Sequence, residues 1–253
     1  MSVDILILGA GWTSTFLIPL CEEAKLTTAA TSRSGSGRLP DAKTVLITFP
    51  VTVPGASERL VRLYLSTRQN LGEESPAFIQ LGSTSIWNKA GTGGFIDRHS
   101  QITPTGRSIA ETELLALSPS VAATTVLNLG GLWGGQRIPR NWLSRVAPTK
   151  EALAEKGSLH LLHGLDLARA ILAVHSDFPK AAGQRWLLTD GRVYDWWDLA
   201  YAWGAEEAVW VRELMEEHNV RVLPRNTELL GRVLDSRTFG PSLGLLPLDR
   251  GLG

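Results

Sequence analysis

The run Asp4-Ile5-Leu6-Ile7-Leu8 passes without a break into Gly9-Ala10-Gly11-Trp12-Thr13-Ser14, and no other stretch limits the fold as strongly. Consecutive Ile and Leu residues ended by glycine read as a buried strand of a parallel sheet. The apolar segment from Trp12 to Cys21 reads as the helix that follows. A strand entering a helix through Gly-x-Gly is the shape of a phosphate-binding turn. Gly9 permits the tight turn, Gly11 lets a pyrophosphate approach the backbone, and the helix's free N–H groups and dipole hold the anion. Gly9, Gly11, Trp12 and Thr13 are therefore candidate nucleotide-binding residues. Ser14 stands where the usual fingerprint has its third glycine. The plainer alternative is a tight strand-to-helix turn with no ligand, because two glycines at this spacing also occur in ordinary turns.

A second strand is expected over Leu26 to Thr31, ending in Ser32-Arg33-Ser34-Gly35-Ser36-Gly37-Arg38. In a dinucleotide fold this tip meets the adenosine ribose. An acid there suits the 2′-hydroxyl of NAD, whereas arginine suits the 2′-phosphate of NADP. No acid is present, so Ser32, Arg33 and Ser34 favour NADP over NAD; the alternative is a Ser/Gly loop with solvated arginines. Thr44 to Pro50 reads as the third strand, with Phe49 and Pro50 at its tip facing the same nucleotide. The gap before it, about a dozen residues, is too short for both a helix and a strand. Either one edge strand is missing or residues 33–43 form a bare crossover.

Further on, a helix is expected over 57–69, a strand over Pro76 to Leu81 ending in Gly82-Ser83-Thr84-Ser85, and a polar loop over the strand ends from Asn88 to Thr103. Ser108-x-x-Glu111 offers a capping box for the next helix. Thr124 to Leu129 is another strand, closing on Gly130-Gly131-Leu132-Trp133-Gly134-Gly135. This alternation predicts an α/β fold: a Rossmann-like doubly wound parallel sheet, one edge strand short, over residues 1–135. Residues 136–253 form a smaller, mostly helical substrate-side region packed on it. There Leu165 to Val174 and Glu206 to Glu217 read as helices, Asp190-Gly191 as a turn, and Asp195 as the cap of a helix from Trp196 to Trp203. The tail after 237 is expected to be poorly ordered.

Charge and composition remove several classes of function. Twenty-five basic and 25 acidic residues cancel, so no field draws the chain to nucleic acid or to an anionic membrane. No apolar stretch reaches the ~18 residues of a membrane span. One cysteine, Cys21, allows no internal disulfide and suits a reducing compartment. Asp4 interrupts the N-terminus and no cationic leader precedes the apolar run, so no signal peptide is expected and the cytoplasm is the expected location. Six of the nine tryptophans lie at 142–210, which predicts an aromatic core or cleft there. The expected partner is a small-molecule substrate, with a second copy of the chain as the other candidate.

In their order, Gly9-Ala10-Gly11-Trp12, Thr31-Ser32-Arg33, Phe78 to Trp87, Leu127 to Gly134 and Leu162-His163-Gly164-Leu165-Asp166-Leu167-Ala168 resemble the short-chain dehydrogenase/reductase superfamily, in its extended, epimerase-like and atypical branch. The resemblance covers about residues 4–200. It implies an NADP-binding groove that also takes in Gly82 and Gly131, and a hydroxyl at Ser83, with Ser85 beside it, that orients substrate. It also implies a Tyr that transfers the proton and a Lys four residues later. Thr105 stands at the Tyr position and Ile109 at the Lys position. A Thr hydroxyl lies far above the ~10 of Tyr, and Ile carries no charge, so neither does the job.

Other chemistry is weakly signalled. His99 in Asp97-Arg98-His99 is a candidate acid/base, against a solvated loop. His160, His163 and Asp166 have metal-ligand types, but the resemblance makes them a strand-to-helix junction, so no metal is expected. Arg137 and Arg140 face either an anionic substrate or solvent. Two readings follow. One is an atypical NADP-binding reductase-like enzyme, performing reduction or a non-redox isomerisation, cyclisation or dehydration. The other is a non-catalytic NADP(H) sensor or interaction protein.

Overall fold

The computed structural model describes residues 2–32, 38–68, 75–87 and 94–243. Its centre is a six-stranded parallel sheet: β1 (Ser2–Leu8), β2 (Thr28–Thr31), β3 (Asp41–Ile47), β4 (Ala77–Ser83), β5 (Thr124–Leu129) and β6 (Arg185–Leu188), in the order β2-β1-β3-β4-β5-β6. Strands covered on both faces need no alternation of polar and apolar residues. Ile5, Leu6 and Ile7 are wholly buried, and every residue of β5 is buried. Helices α1 (Ser14–Glu23) and α4 (Gly164–Ser176) cover one face through Leu17, Cys21, Leu167, Ile171 and Val174. On the other face α2 (Ala56–Ser66) and α3 (Gly106–Ala116) bury Val61, Tyr64, Ala110 and Leu114. Burial in the apolar first helix pushes the Cys21 thiol up to about 11, which makes it packing rather than a nucleophile.

Strand order resolves the short connection. From β1 the chain passes through α1 to β2 on one side, then returns over β1 to β3 on the other. Among the described residues no strand lies outside β2, and Ser32 and Arg38 to Pro40 are neither helix nor strand. Among the described residues the sheet is therefore one strand short at the β2 edge. It keeps the reversal of direction between β1 and β3, where nucleotides bind in such sheets.

Several local expectations need correction. Glu111 is not part of a capping box; α3 starts earlier, so Thr105 is its N-cap and Ser108 the reciprocal partner. Asp190-Gly191 forms the expected turn, with Gly191 at φ +76° and the Arg192 amide donating to Asp190 Oδ1 at 3.0 Å, but it does not join two paired strands. The strand before it, β6, completes the central sheet beside β5, so sheet residues lie on both sides of position 135. The loop expected from Asn88 to Thr103 contains a strand, Gly94–Ile96, paired in parallel with Arg232–Leu234. Past 237, Phe239–Leu243 is a short helix, and buried Phe239 meets Trp186 edge-on at 5.5 Å. Apolar contact with the sheet fixes this first part of the tail; residues 244–253, the rest of the segment expected to be poorly ordered, lie outside the described residues.

Most of the tryptophans form a second core. Helices α5 (Trp196–Trp203) and α6 (Glu206–Glu217) bury Trp196, Trp197, Val211 and Leu214 against Leu143 and Leu153, with Trp142, Trp203 and Trp210 packed around them. Asp195 caps α5 as expected, accepting from the Trp197 amide at 2.9 Å. Its carboxylate also holds buried Arg225, whose guanidinium lies 3.9 Å from the Trp197 ring.

Candidate functional site

The turn after β1 is built almost entirely from backbone. Gly9 has φ +97°, and a Cβ there would stand 2.7 Å from Thr48 Oγ1, so both conformation and space demand glycine. Thr31, at the tip of β2, accepts from the Gly9 amide with Oγ1 (3.1 Å) and from the Ala10 amide with its carbonyl (2.6 Å). Thr48 Oγ1 donates to the Gly9 carbonyl at 2.6 Å. Ser14, in place of the third glycine, accepts from the Gly11 amide at 3.2 Å. The Ser14 and Thr15 amides donate to the Gly11 and Trp12 carbonyls. Two amides remain. Among the described residues the N–H groups of Trp12 and Thr13 meet no acceptor. They sit where the first helix begins, at the carboxyl edge of the sheet and at its reversal point, where helix dipole and free donors favour an anion.

Phe49, 41% exposed, leans over Gly9 from the tip of β3, with exposed Pro50 next to it. Ser32 is exposed just beyond β2. Arg33 and Ser34 lie outside the described residues. Arg38 turns toward the end of α2, where Nη2 meets the Thr67 carbonyl at 3.5 Å.

Of the hydroxyls expected to orient substrate, Ser83 ends β4 and its Oγ accepts from the amide of exposed Ser85 at 3.2 Å. The Ser83 carbonyl accepts from Asn128 Nδ2 at 3.1 Å. Asn128 belongs to a buried cluster that sequence reasoning missed. Glu111, wholly buried on α3, accepts from Asn128 Nδ2 (2.9 Å) and pairs with Arg185 of β6. Gly82 leaves room for it, since a Cβ there would stand 2.5 Å from Glu111 Oε1. Nothing in the spacing of Glu111, Asn128 and Arg185 signals this; only the strand register brings them together.

Of the two positions that the resemblance assigns to a proton relay, Thr105 caps α3. Thr105 Oγ1 accepts from the Ser108 amide at 3.1 Å while Ser108 Oγ accepts from the Thr105 amide at 2.8 Å. Ile109 is 42% exposed. No tyrosine replaces the missing one: Tyr64 donates to the Pro40 carbonyl, Tyr194 to Asp190, and Tyr201 lies on α5. The turn bearing His99 docks on the flank of the sheet rather than over the strand ends. Arg98 stacks on Trp186 at 3.9 Å and reaches the Arg185 carbonyl, which leaves His99 exposed beside edge strand β6.

Gly131 donates its amide to the His160 carbonyl at 2.7 Å. Burial, helped by nearby Arg232, pushes the His160 imidazole down to about 4, and its Nε2 accepts from the Leu234 amide at 2.9 Å. His163 Nδ1 accepts from the Leu165 amide and caps α4. Both rings thus serve the backbone, and among the described residues no group of three or more His, Cys, Asp or Glu could hold a metal. Arg232 is a second omission of the sequence reading. Its Nη1 donates to the Thr84 carbonyl at 2.7 Å, next to Ser83, and burial lowers its pKa.

No protein-family model matches the sequence, and a search of curated proteins also finds no match. Solved structures do match in fold. MoeE5 in complex with UDP-glucose and NAD superposes with a TM-score of 0.65 at 16% identity, covering 98% of this chain and 94% of the other. The human epimerase family protein SDR39U1 (isoform 2) with NADPH gives 0.63 at 14%, covering 100% and 97%. A short-chain dehydrogenase/reductase superfamily protein from Agrobacterium tumefaciens with bound NAD gives 0.60 at 12%, covering 97% and 92%. The chain has the Rossmann-like fold of these epimerase-type short-chain dehydrogenases/reductases.

Proposed function

We propose that this chain binds a nicotinamide dinucleotide, NADP in preference to NAD, and acts on a small organic molecule. The observation that carries this reading is the pair of unclaimed amides at Trp12 and Thr13, where the sheet reverses direction. They fit a diphosphate and have no structural duty of their own. Dinucleotide complexes among proteins of the same fold support the same reading. For NADP the support is narrower: no acid follows β2, and Arg33 stands in the sequence where a 2′-phosphate would lie.

A bound nicotinamide would supply hydride chemistry. The chain itself would grip the diphosphate with Trp12 and Thr13, flank the nucleotide with Phe49 and Gly131, and orient substrate with the Ser83 and Ser85 hydroxyls. Neither position that the resemblance assigns to a proton relay offers a suitable group, because Thr105 is engaged in its helix cap and Ile109 is apolar. Reduction would take that proton from water or from the substrate. A non-redox isomerisation, cyclisation or dehydration is the other form the activity can take.

That same loss favours one alternative, a dinucleotide sensor that keeps the groove without catalysis. Titrating NADPH and NADH against wild type and Arg33→Ala by nicotinamide fluorescence tests the cofactor. NADPH is expected to bind about tenfold or more tightly than NADH, with the difference lost in the variant. Equal affinity for the two would refute the preference. Unchanged turnover of a cognate substrate by Ser83→Ala would remove Ser83 from the chemistry.

A further inference from the structure

Beyond the Gly-rich turn that follows β5 lies a cavity of about 500 Å³ which the groove above does not use. One wall runs from Trp133 to Arg140. His163, at the start of α4, and Trp203, at the end of α5, close it. Its charge is one-sided. Arg137 and Arg140 line it, no acidic residue does, and neither arginine meets a carboxylate among the described residues. A guanidinium cannot shed its proton, so two unpaired ones at a concave surface maintain a local positive potential.

The lining also carries apolar surface, from the indoles of Trp133 and Trp203 and from Ile138 and Pro139. Arg137 is also held in place before any ligand arrives. Its guanidinium lies over the Trp12 indole, 4.3 Å from the ring centre, and Trp12 Nε1 donates to the Gly134 carbonyl at 3.0 Å. A stacked guanidinium loses less freedom on binding than a loose one. Solvated arginines on a convex loop would show neither the cavity nor the aromatic wall.

We infer that this cavity binds a small organic anion, a carboxylate or phosphate monoester carried on a flat apolar body. The anionic group meets Arg137 and Arg140, and the body lies against Trp133 and Trp203. A space of this size suits a ligand of drug-like dimensions. The assignment goes beyond the dinucleotide reading and does not depend on it. Trp12 nevertheless touches both sites, through its amide at the diphosphate turn and its indole beneath Arg137. Occupancy of either site should therefore alter affinity at the other, and by the same factor in both directions.

The test titrates benzoate, its neutral isostere benzamide and inorganic phosphate into the full chain without nucleotide, reading tryptophan fluorescence and thermal midpoint. Benzoate is expected to quench saturably and to bind about tenfold or more tightly than benzamide. Arg140→Gln and Arg137→Gln should each weaken it by about tenfold, and Trp203→Leu by several-fold, with circular dichroism of all three unchanged. Equal binding of benzoate and benzamide overturns the inference, as does benzoate binding that both arginine variants retain. Phosphate binding as tight as benzoate, and indifferent to Trp203→Leu, overturns the flat-body assignment. Benzoate binding with no NADPH binding would sink the dinucleotide reading alone; NADPH binding with no benzoate response would sink only this one.

Discussion

The start of α1 and the start of α3 stand at the same carboxyl edge of one sheet, and they have kept different kinds of contact. At α1 the donors are backbone amides, Trp12 and Thr13, shaped by Gly9 and braced by Thr31 and Thr48. At α3 the contacts that the resemblance assigns to proton transfer would belong to side chains. Here those side chains are a Thr bound to Ser108 and an exposed Ile. A binding surface made of backbone survives almost any change of side chain, provided the glycine remains. A relay made of side chains depends on the identity of each one. On the proposed function, this chain would hold a dinucleotide at α1 without offering a proton relay at Thr105 and Ile109.

The hardest test of this contrast is at α3 itself. Arg185→Met leaves Glu111 buried without its cation and should cost about 3–5 kcal/mol by denaturant unfolding. NADPH affinity of the folded fraction should stay unchanged; a parallel loss of affinity would mean that α3 shares in the groove. Gly9→Val strikes the other region, combining a forbidden φ with a clash at Thr48. It should weaken NADPH binding by about 100-fold or more in titrations, with far-ultraviolet circular dichroism preserved.

A pH series probes the seam where the His160 ring meets the Leu234 amide of the C-terminal segment. His160 is held neutral, with a folded pKa of about 4 against 6.5 in the unfolded chain. Between those values the unfolded state binds more protons, so stability falls as the pH drops from 7 through 5. The loss at pH 5 should be about 2 kcal/mol, with half-buried His175 adding in the same direction, and His160→Gln should remove most of it. A flat profile in wild type would contradict the buried, neutral ring. The smallest effect belongs to Thr105→Ala, which removes a helix cap. About 1 kcal/mol of stability should go, with NADPH affinity intact. A loss of turnover well beyond the loss of folded protein would return Thr105 to the chemistry.

What could be read from sequence was whatever local pattern encodes. Ile5 to Leu8 followed by two glycines specifies strand, turn and helix within a few residues, and Asp195 announces its helix by capping chemistry alone. The length of the connection after Thr31 signalled an irregular sheet edge but left open whether a strand was missing or the connection was a bare crossover. What could not be read depends on register between distant segments. Asn128, Glu111 and Arg185 come from three separate elements. Arg232 reaches Thr84 only because a three-residue strand pairs with Gly94–Ile96, and strands so short leave almost no periodicity. Arg98 drew His99 to the sheet's flank by stacking on a tryptophan 88 positions later, which no local pattern announces.

The most direct measurement is an amide NMR titration of the isotopically labelled chain with NADPH. The account predicts that the Trp12 and Thr13 amide signals move most, moving downfield as each N–H gains a phosphate oxygen, and that Gly9→Val abolishes the movement. Saturable NADPH binding that leaves those two signals in place while shifting others would contradict it.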